Sequence, residues 1–369
     1  MRQKLLNLPK PILVITGAVF VGVFLLLLNI GGRIVSGIPA LGQEYVVQCI
    51  GELVAAVYTI AMLFLLGYGS ILKEKGTGFL KGFYVGGFMV GYCLFAAVAM
   101  LYVQQLESTS TVQPVGMICI YTLTMFLVGL NEEVIVRGVV LNLLLDRFTN
   151  SRKGVLWAII LSSLIFGCCH IPNVMAGIPF KSVLIQTVQA TLMGIVFAAI
   201  YLRSGNIWIC IIAHAAVDFA GLMASGVFGN GGMTDMIGNL SIVNLVVTVP
   251  LFLIPGIVLL RKNKLEEIVR KRVGEEIIPT QKEADHTAIV SIVLGGIGIV
   301  LGISGYTIGI SLVGLLGAIV SKKIKTQQNG FSMAAMIVSI VGLVISIMGM
   351  ILMMIMMPMI GDANSMGIF

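Results

Sequence analysis

Two adjacent glutamates, two histidines and an aspartate stand inside strongly apolar stretches of this 369-residue chain. The first group reads Gly129-Leu-Asn-Glu132-Glu133-Val-Ile-Val-Arg137-Gly138. Glu133 and Arg137 are four apart, so a helix sets them on one face as an ion pair. Glu132 turns about 100° away from Glu133 and has no obvious partner on its own helix. That makes it a candidate general base or metal ligand. The second group, Phe166-Gly-Cys-Cys-His170-Ile-Pro172, puts Phe166 and His170 on one face, with Pro172 loosening the backbone just beyond. The third, His214-Ala-Ala-Val-Asp218, pairs its end residues on a face whose alanines admit neighbouring helices.

Each group also has a plainer reading. The glutamates could serve helix packing, His170 could be a bonded residue near a helix end, and His214–Asp218 a buried hydrogen bond. Cost argues against assembling so many: an ionisable group at membrane depth costs about 2.5–3.5 kcal/mol on insertion scales. The apolar core of the sequence holds seven: Glu52, Glu132, Glu133, Arg137, His170, His214 and Asp218. Glu52 reads as a snorkelling or hydroxyl-bonded side chain, or as part of a cavity lining.

These residues need helices that cross a bilayer. The chain is 58% hydrophobic and 11% charged, with mean hydropathy +1.06, more apolar surface than a soluble domain can bury. The apolar runs are continuous rather than alternating, which selects helices over a barrel. Spans are expected at 12–30, 45–69, 83–103, 115–145, 155–171, 183–202, 207–227 and 242–260. With the N-terminus cytoplasmic, the inner segments hold Arg2, Lys4, Lys10; Lys73, Lys75, Lys81; Arg147, Arg152, Lys153; Arg203; and seven basic residues from Arg261 to Lys282, whereas the outer loops hold Arg33 and Lys181. That is the positive-inside asymmetry, and it assigns the +7 net charge to membrane lipid and topology rather than nucleic acid. The six cysteines all lie in apolar stretches, with no CxxC pair, and read as buried small hydrophobes.

The expected fold class is all-α: a polytopic transmembrane helical bundle with an eight-helix core and two or three C-terminal membrane helices. Residues 1–260 form the core, 261–286 a polar cytoplasmic linker, and 287–369 a membrane tail. The tail is rich in Gly, Ile and Met, carries Lys322, Lys323 and Lys325 between its last two runs, and repeats Ile-Val-Ser-Ile-Val at 289–293 and 337–341.

The order EExxxR, FxxxH, HxxxD on three separate helices resembles the signature of the CAAX-protease and bacteriocin-processing (CPBP, Abi) family, which includes the type II CAAX prenyl proteases. The likeness covers roughly residues 125–225. The tail resembles the small DUF4190-like membrane domain attached to many bacterial proteins, which suggests a bacterial plasma membrane. The resemblance implies a membrane-embedded endopeptidase that takes a membrane-associated peptide or protein as substrate. Glu132 would activate a water with help from His170, Glu133 and Arg137 would form a structural pair, and His214 with Asp218 would face the developing oxyanion. Some relatives carry Asn where this chain has Asp218. An ionised Asp218 would orient His214 instead of donating to an oxyanion, and this keeps open a variant with one divalent metal such as zinc on Glu132, His170 and His214. No HExxH is present.

Counted from the cytoplasmic helix ends, Glu132, His170 and His214 would lie at about 22, 25 and 12 Å at 1.5 Å per residue. They meet only if the glutamate helix and its neighbour protrude, or if the His214 helix begins deeper. Two rival functions compete with the protease: a non-catalytic bacteriocin-immunity or membrane scaffold protein of the same fold, and a proton- or metal-coupled transporter. The core shows no duplicated halves, which counts against the transporter.

Overall fold

The computed structural model describes residues 1–38, 41–73, 76–106, 111–277, 280–324 and 330–365. Lys75 and Lys325 lie outside them. Every regular element among the described residues is helical, and nine helices are long and apolar enough to cross a membrane. The protein is thus a polytopic helical bundle. The seventh expected span is shorter than anticipated. Helix Ile207–Gly221 stops where Leu222 leaves helical geometry, at φ −106° and ψ 10°, and the short helix Met223–Phe228 follows. The polar segment after residue 260 contains helix Lys262–Arg272, which buries Leu265 and Ile268 and bonds the Arg203 and Leu145 carbonyls through Lys271 and Arg272. The next span starts at Gln281 behind a capping box formed by Thr280 and Glu283.

The chain divides into two compact units: residues 1–78, 114–216 and 231–277 in one, and 79–113, 217–230 and 278–369 in the other. The division does not follow the linear order, since helix Gly87–Leu106 falls in the same unit as the tail.

In the first unit, helix Lys10–Ser36 packs on Glu44–Leu65 through glycines. A Cβ at Gly31 would sit 3.0 Å from the Gly51 backbone. Glu44–Leu65 (the Glu52 helix) lies in turn against the helix that carries the glutamates, joined by Tyr45 stacked edge-on to Tyr121 and by a Thr124 hydroxyl donating to the Tyr45 carbonyl. This glutamate helix, Val115–Arg147, runs 33 residues, about 50 Å at the usual rise against a hydrocarbon core of about 30 Å. Its eight residues Val134–Leu141 form a wide π-helical stretch, all of them buried. Such stretches recur at functional sites. Its last turn is tied down through Asp146, which accepts from Tyr68 (2.6 Å) and Arg2 and faces Arg272 at 3.8 Å. Helix Arg152–Cys168 packs on Phe180–Ser204, which also backs Ile242–Leu259.

In the second unit, helices Gln281–Leu301, Ile308–Ile324 and Gly330–Ser365 pack tightly on one another. The two Ile-Val-Ser-Ile-Val runs face each other there: the Ser339 hydroxyl donates to the Ser291 carbonyl at 3.1 Å.

Candidate active site

The site is assembled where the glutamate helix crosses Ile207–Gly221. Gly129 permits the crossing, because a Cβ there would fall 2.7 Å from the Ile211 carbonyl and 2.9 Å from the Ala215 nitrogen. One turn further along, the close approach brings His214 onto both glutamates. His214 Nδ1 lies 2.8 Å from Glu133 Oε1, and His214 Nε2 lies 3.5 Å from Glu132 Oε2. Glu133 Oε1 also takes Arg137 Nη1 at 2.9 Å. The two acids thus share one imidazole, and one acid shares a guanidinium with it. Glu133, Arg137 and His214 are buried, while the Glu132 side chain keeps 14% exposure and is the acid a reacting molecule can reach.

Aromatic rings fix Arg137 and His214. Phe197, on helix Phe180–Ser204, stacks on His214 with centroids 5.3 Å apart and planes at 22°. Phe166, on Arg152–Cys168, meets His214 edge-on at 5.7 Å and lies 4.5 Å below the Arg137 guanidinium. Arg137 Nη2 also donates to the Gly194 carbonyl at 3.3 Å. A charge kept out of water needs this many partners, since desolvation otherwise outweighs the Coulomb gain. His170 follows the Phe166 helix, with its ring edge-on to Phe166 at 5.5 Å and Nδ1 3.2 Å from the Phe166 carbonyl. A carbonyl can only accept, so Nδ1 carries the proton, and in the neutral ring Nε2 holds the lone pair.

Several expectations change. Glu132 has a partner after all, His214, which the helix-by-helix reading could not supply. Glu133 is a carboxylate at hydrogen-bond distance of His214 Nδ1, a contact that spacing along one helix did not suggest. Asp218 stands one turn further along the His214 helix but belongs to the second unit, where Tyr92 and Cys93 are its electrostatic neighbours. Glu133 and Arg137 do form their ion pair, and Glu133 holds the histidine as well. Among the described residues no three His, Cys, Asp or Glu side chains gather into a set that could hold a metal ion. Of the three residues considered for a divalent ion, Glu132 and His214 lie 3.5 Å apart. Gln48 and Asn131 each donate to one of the two Glu52 oxygens. The depth mismatch resolves because Ile207 starts beside Gly138, 3.5 Å from where a Cβ there would be. The glutamate helix continues to Arg147, about 13 Å further at 1.5 Å per residue.

Sequence reasoning missed Phe197, Gly194 and Gly129. Gly129 and Gly194 were legible only as small residues in apolar runs, and Phe197 carried no signal at all.

No similar protein was found among curated proteins or solved structures. Residues 114–220 match the family model described as Rce1-like, type II CAAX prenyl endopeptidase Rce1-like. The match begins at the residue before the glutamate helix and ends within the His214 helix, so it takes in all three motifs and stops short of the tail. The segment that brings Glu132, Glu133, Arg137 and His214 together is thus the part of the chain that is similar to the Rce1-like type II CAAX prenyl endopeptidases.

Proposed function

We propose that the chain is a membrane-embedded endopeptidase that hydrolyses a peptide bond of a membrane-associated substrate, CAAX-type or bacteriocin-related, using a water activated by Glu132 with help from His170. The observation that carries this reading is His214 held between the two glutamates, with Arg137 neutralising the deeper one. Glu133 accepts from His214 Nδ1–H, which sets the tautomer and aims Nε2 toward Glu132. Glu132 takes a proton from water as the oxygen attacks the carbonyl carbon. The carbonyl becomes an oxyanion, and a protonated Nε2 of His214 is the donor on that side. Glu132 then returns its proton to the leaving nitrogen as the C–N bond breaks. Glu133 favours the cationic imidazole in this step because it already lies 2.8 Å from Nδ1. Loop charges favour a cytoplasmic N-terminus, and the resemblance of the tail to the DUF4190-like membrane domain favours a bacterial plasma membrane, with lipid as a standing partner.

The test is cleavage of a fluorogenic membrane peptide by purified protein in vesicles. Glu132→Ala and His214→Ala should each remove the activity while the melting transition persists. Cleavage retained by both variants overturns the assignment.

A further inference from the structure

The two glutamates sit at a weak point of their helix. Glu133 is the last residue before the π-helical stretch that starts at Val134. A π stretch widens the turn and interrupts the i→i−4 ladder. Local helix geometry therefore holds the directions of Glu132 and Glu133 less firmly than in a regular helix. The neighbouring residue on the regular side, Asn131, is fully buried and has its amide bonded on both sides. Its Nδ2 donates to the Glu52 side chain (Oε2, 2.7 Å) and to the Glu52 carbonyl (2.8 Å). Its Oδ1 accepts from the Thr59 hydroxyl at 2.9 Å. Gln48 Nε2 donates to the other Glu52 oxygen, Oε1, at 2.9 Å. Gln48, Glu52 and Thr59 all belong to helix Glu44–Leu65, so a second helix grips the glutamate helix at the residue next to Glu132. Glu52 itself is 1% exposed. A carboxylate buried for packing alone would cost more than an apolar residue of its size.

We propose that the Glu52–Asn131 clamp is the positioning device of the catalytic pair: it fixes the rotation of the glutamate helix at residue 131, and so the aim of Glu132 and Glu133 at His214. This rests on the protease reading of the site. Glu52 acts through Asn131 and is a positioning residue, not a catalytic one.

An exchange of amide and carboxylate tests it in the full-length protein in vesicles. In Glu52→Gln the single amide oxygen can serve only one of the two donors, Asn131 Nδ2 or Gln48 Nε2, and in Asn131→Asp two carboxylates face each other. In the double variant the amide now at position 52 donates to the carboxylate now at position 131. Gln48 still donates to position 52 there, and Thr59 still donates to position 131. Each single change should lower kcat by about 10- to 100-fold, the scale of a misplacement of about 1 Å, with KM held within about twofold. The double variant should do better than Asn131→Asp but recover only part of the loss, because the carboxylate at position 131 also gives up the bond to the Glu52 main-chain carbonyl. Thr59→Val removes one bond without adding a charge; it should give a smaller loss of kcat and serves if either single variant fails to fold. Amide hydrogen exchange over residues 127–135 is read alongside and does not depend on cleavage. It should rise in the single variants and fall back in the double variant.

Unchanged kcat and exchange in folded single variants overturn the clamp. So does a double variant no better than Asn131→Asp. If the wild type cleaves no peptide while exchange follows the expected pattern, the clamp stands and the protease reading falls.

Discussion

Replacing Arg137 by methionine isolates the energetics of the buried array. Glu133 and Arg137 are 0% and 1% exposed and 2.9 Å apart. The methionine side chain would keep apolar contact with Phe166 and Phe197, so packing changes little, but the Glu133 carboxylate loses its permanent cation. Removing one partner of a buried pair costs about 3–5 kcal/mol. The lost stacking over Phe166 adds about 0.5–2 kcal/mol, and the Gly194 carbonyl forfeits a bond worth about 1 kcal/mol. These terms overlap, and the expected total is about 4 kcal/mol, the middle of the pair-breaking range. The double variant Glu133→Gln with Arg137→Met removes the stranded charge. The amide oxygen at position 133 can still accept from His214 Nδ1–H, so the double variant should lie within about 2 kcal/mol of wild type. Helicity followed against denaturant in mixed micelles measures all three proteins. An Arg137→Met variant within about 1 kcal/mol of wild type, or a double variant less stable than the single, would refute the reasoning.

Glu132→Gln keeps the shape of the side chain and removes the base; cleavage should fall by about 10²–10⁴-fold with no loss of helicity, read from initial rates and circular dichroism on the same sample. Gly129→Val should force the glutamate helix off Ile211 and Ala215, costing about 1–3 kcal/mol and lowering activity, measured by melting and cleavage together. Tyr68 is pushed above its ordinary range first by burial and then by its hydrogen bond to Asp146. A raised phenol contributes stability below about pH 10, its unfolded value, and loses it as pH rises toward the folded value. Stability at alkaline pH should therefore fall less steeply in Tyr68→Phe, as denaturation at a series of pH values would report. In the tail, a Cβ at Gly295 would fall 2.7 Å from the Ser339 backbone. Gly295→Leu should therefore part those two helices, visible as faster amide exchange around residues 291–299 and 335–342.

Much of this protein was legible in one dimension. Long apolar runs fix helices because backbone groups in hydrocarbon must bond within their own segment. The Glu133–Arg137 pair followed from four-residue spacing, and the three motifs pointed to roughly residues 125–225, while the family model matches 114–220. The end of the seventh span at Leu222 was not legible, because hydropathy continues through the break. Nor was the grouping of helix Gly87–Leu106 with the tail, which depends on which faces meet.

The same limit applied to the site. Spacing relates residues within one helix, so it left Glu132 without a partner and gave His214 to Asp218, its neighbour in sequence. Tertiary structure gave His214 to Glu133 and Glu132 instead, because Gly129 lets two helices approach closely enough for side chains 81 and 82 positions apart to touch. What the chain alone determined was which side chains are too costly to be incidental in a membrane. Which of them share a proton was decided by the crossing of helices, a property of packed surfaces that no spacing along one strand of sequence contains.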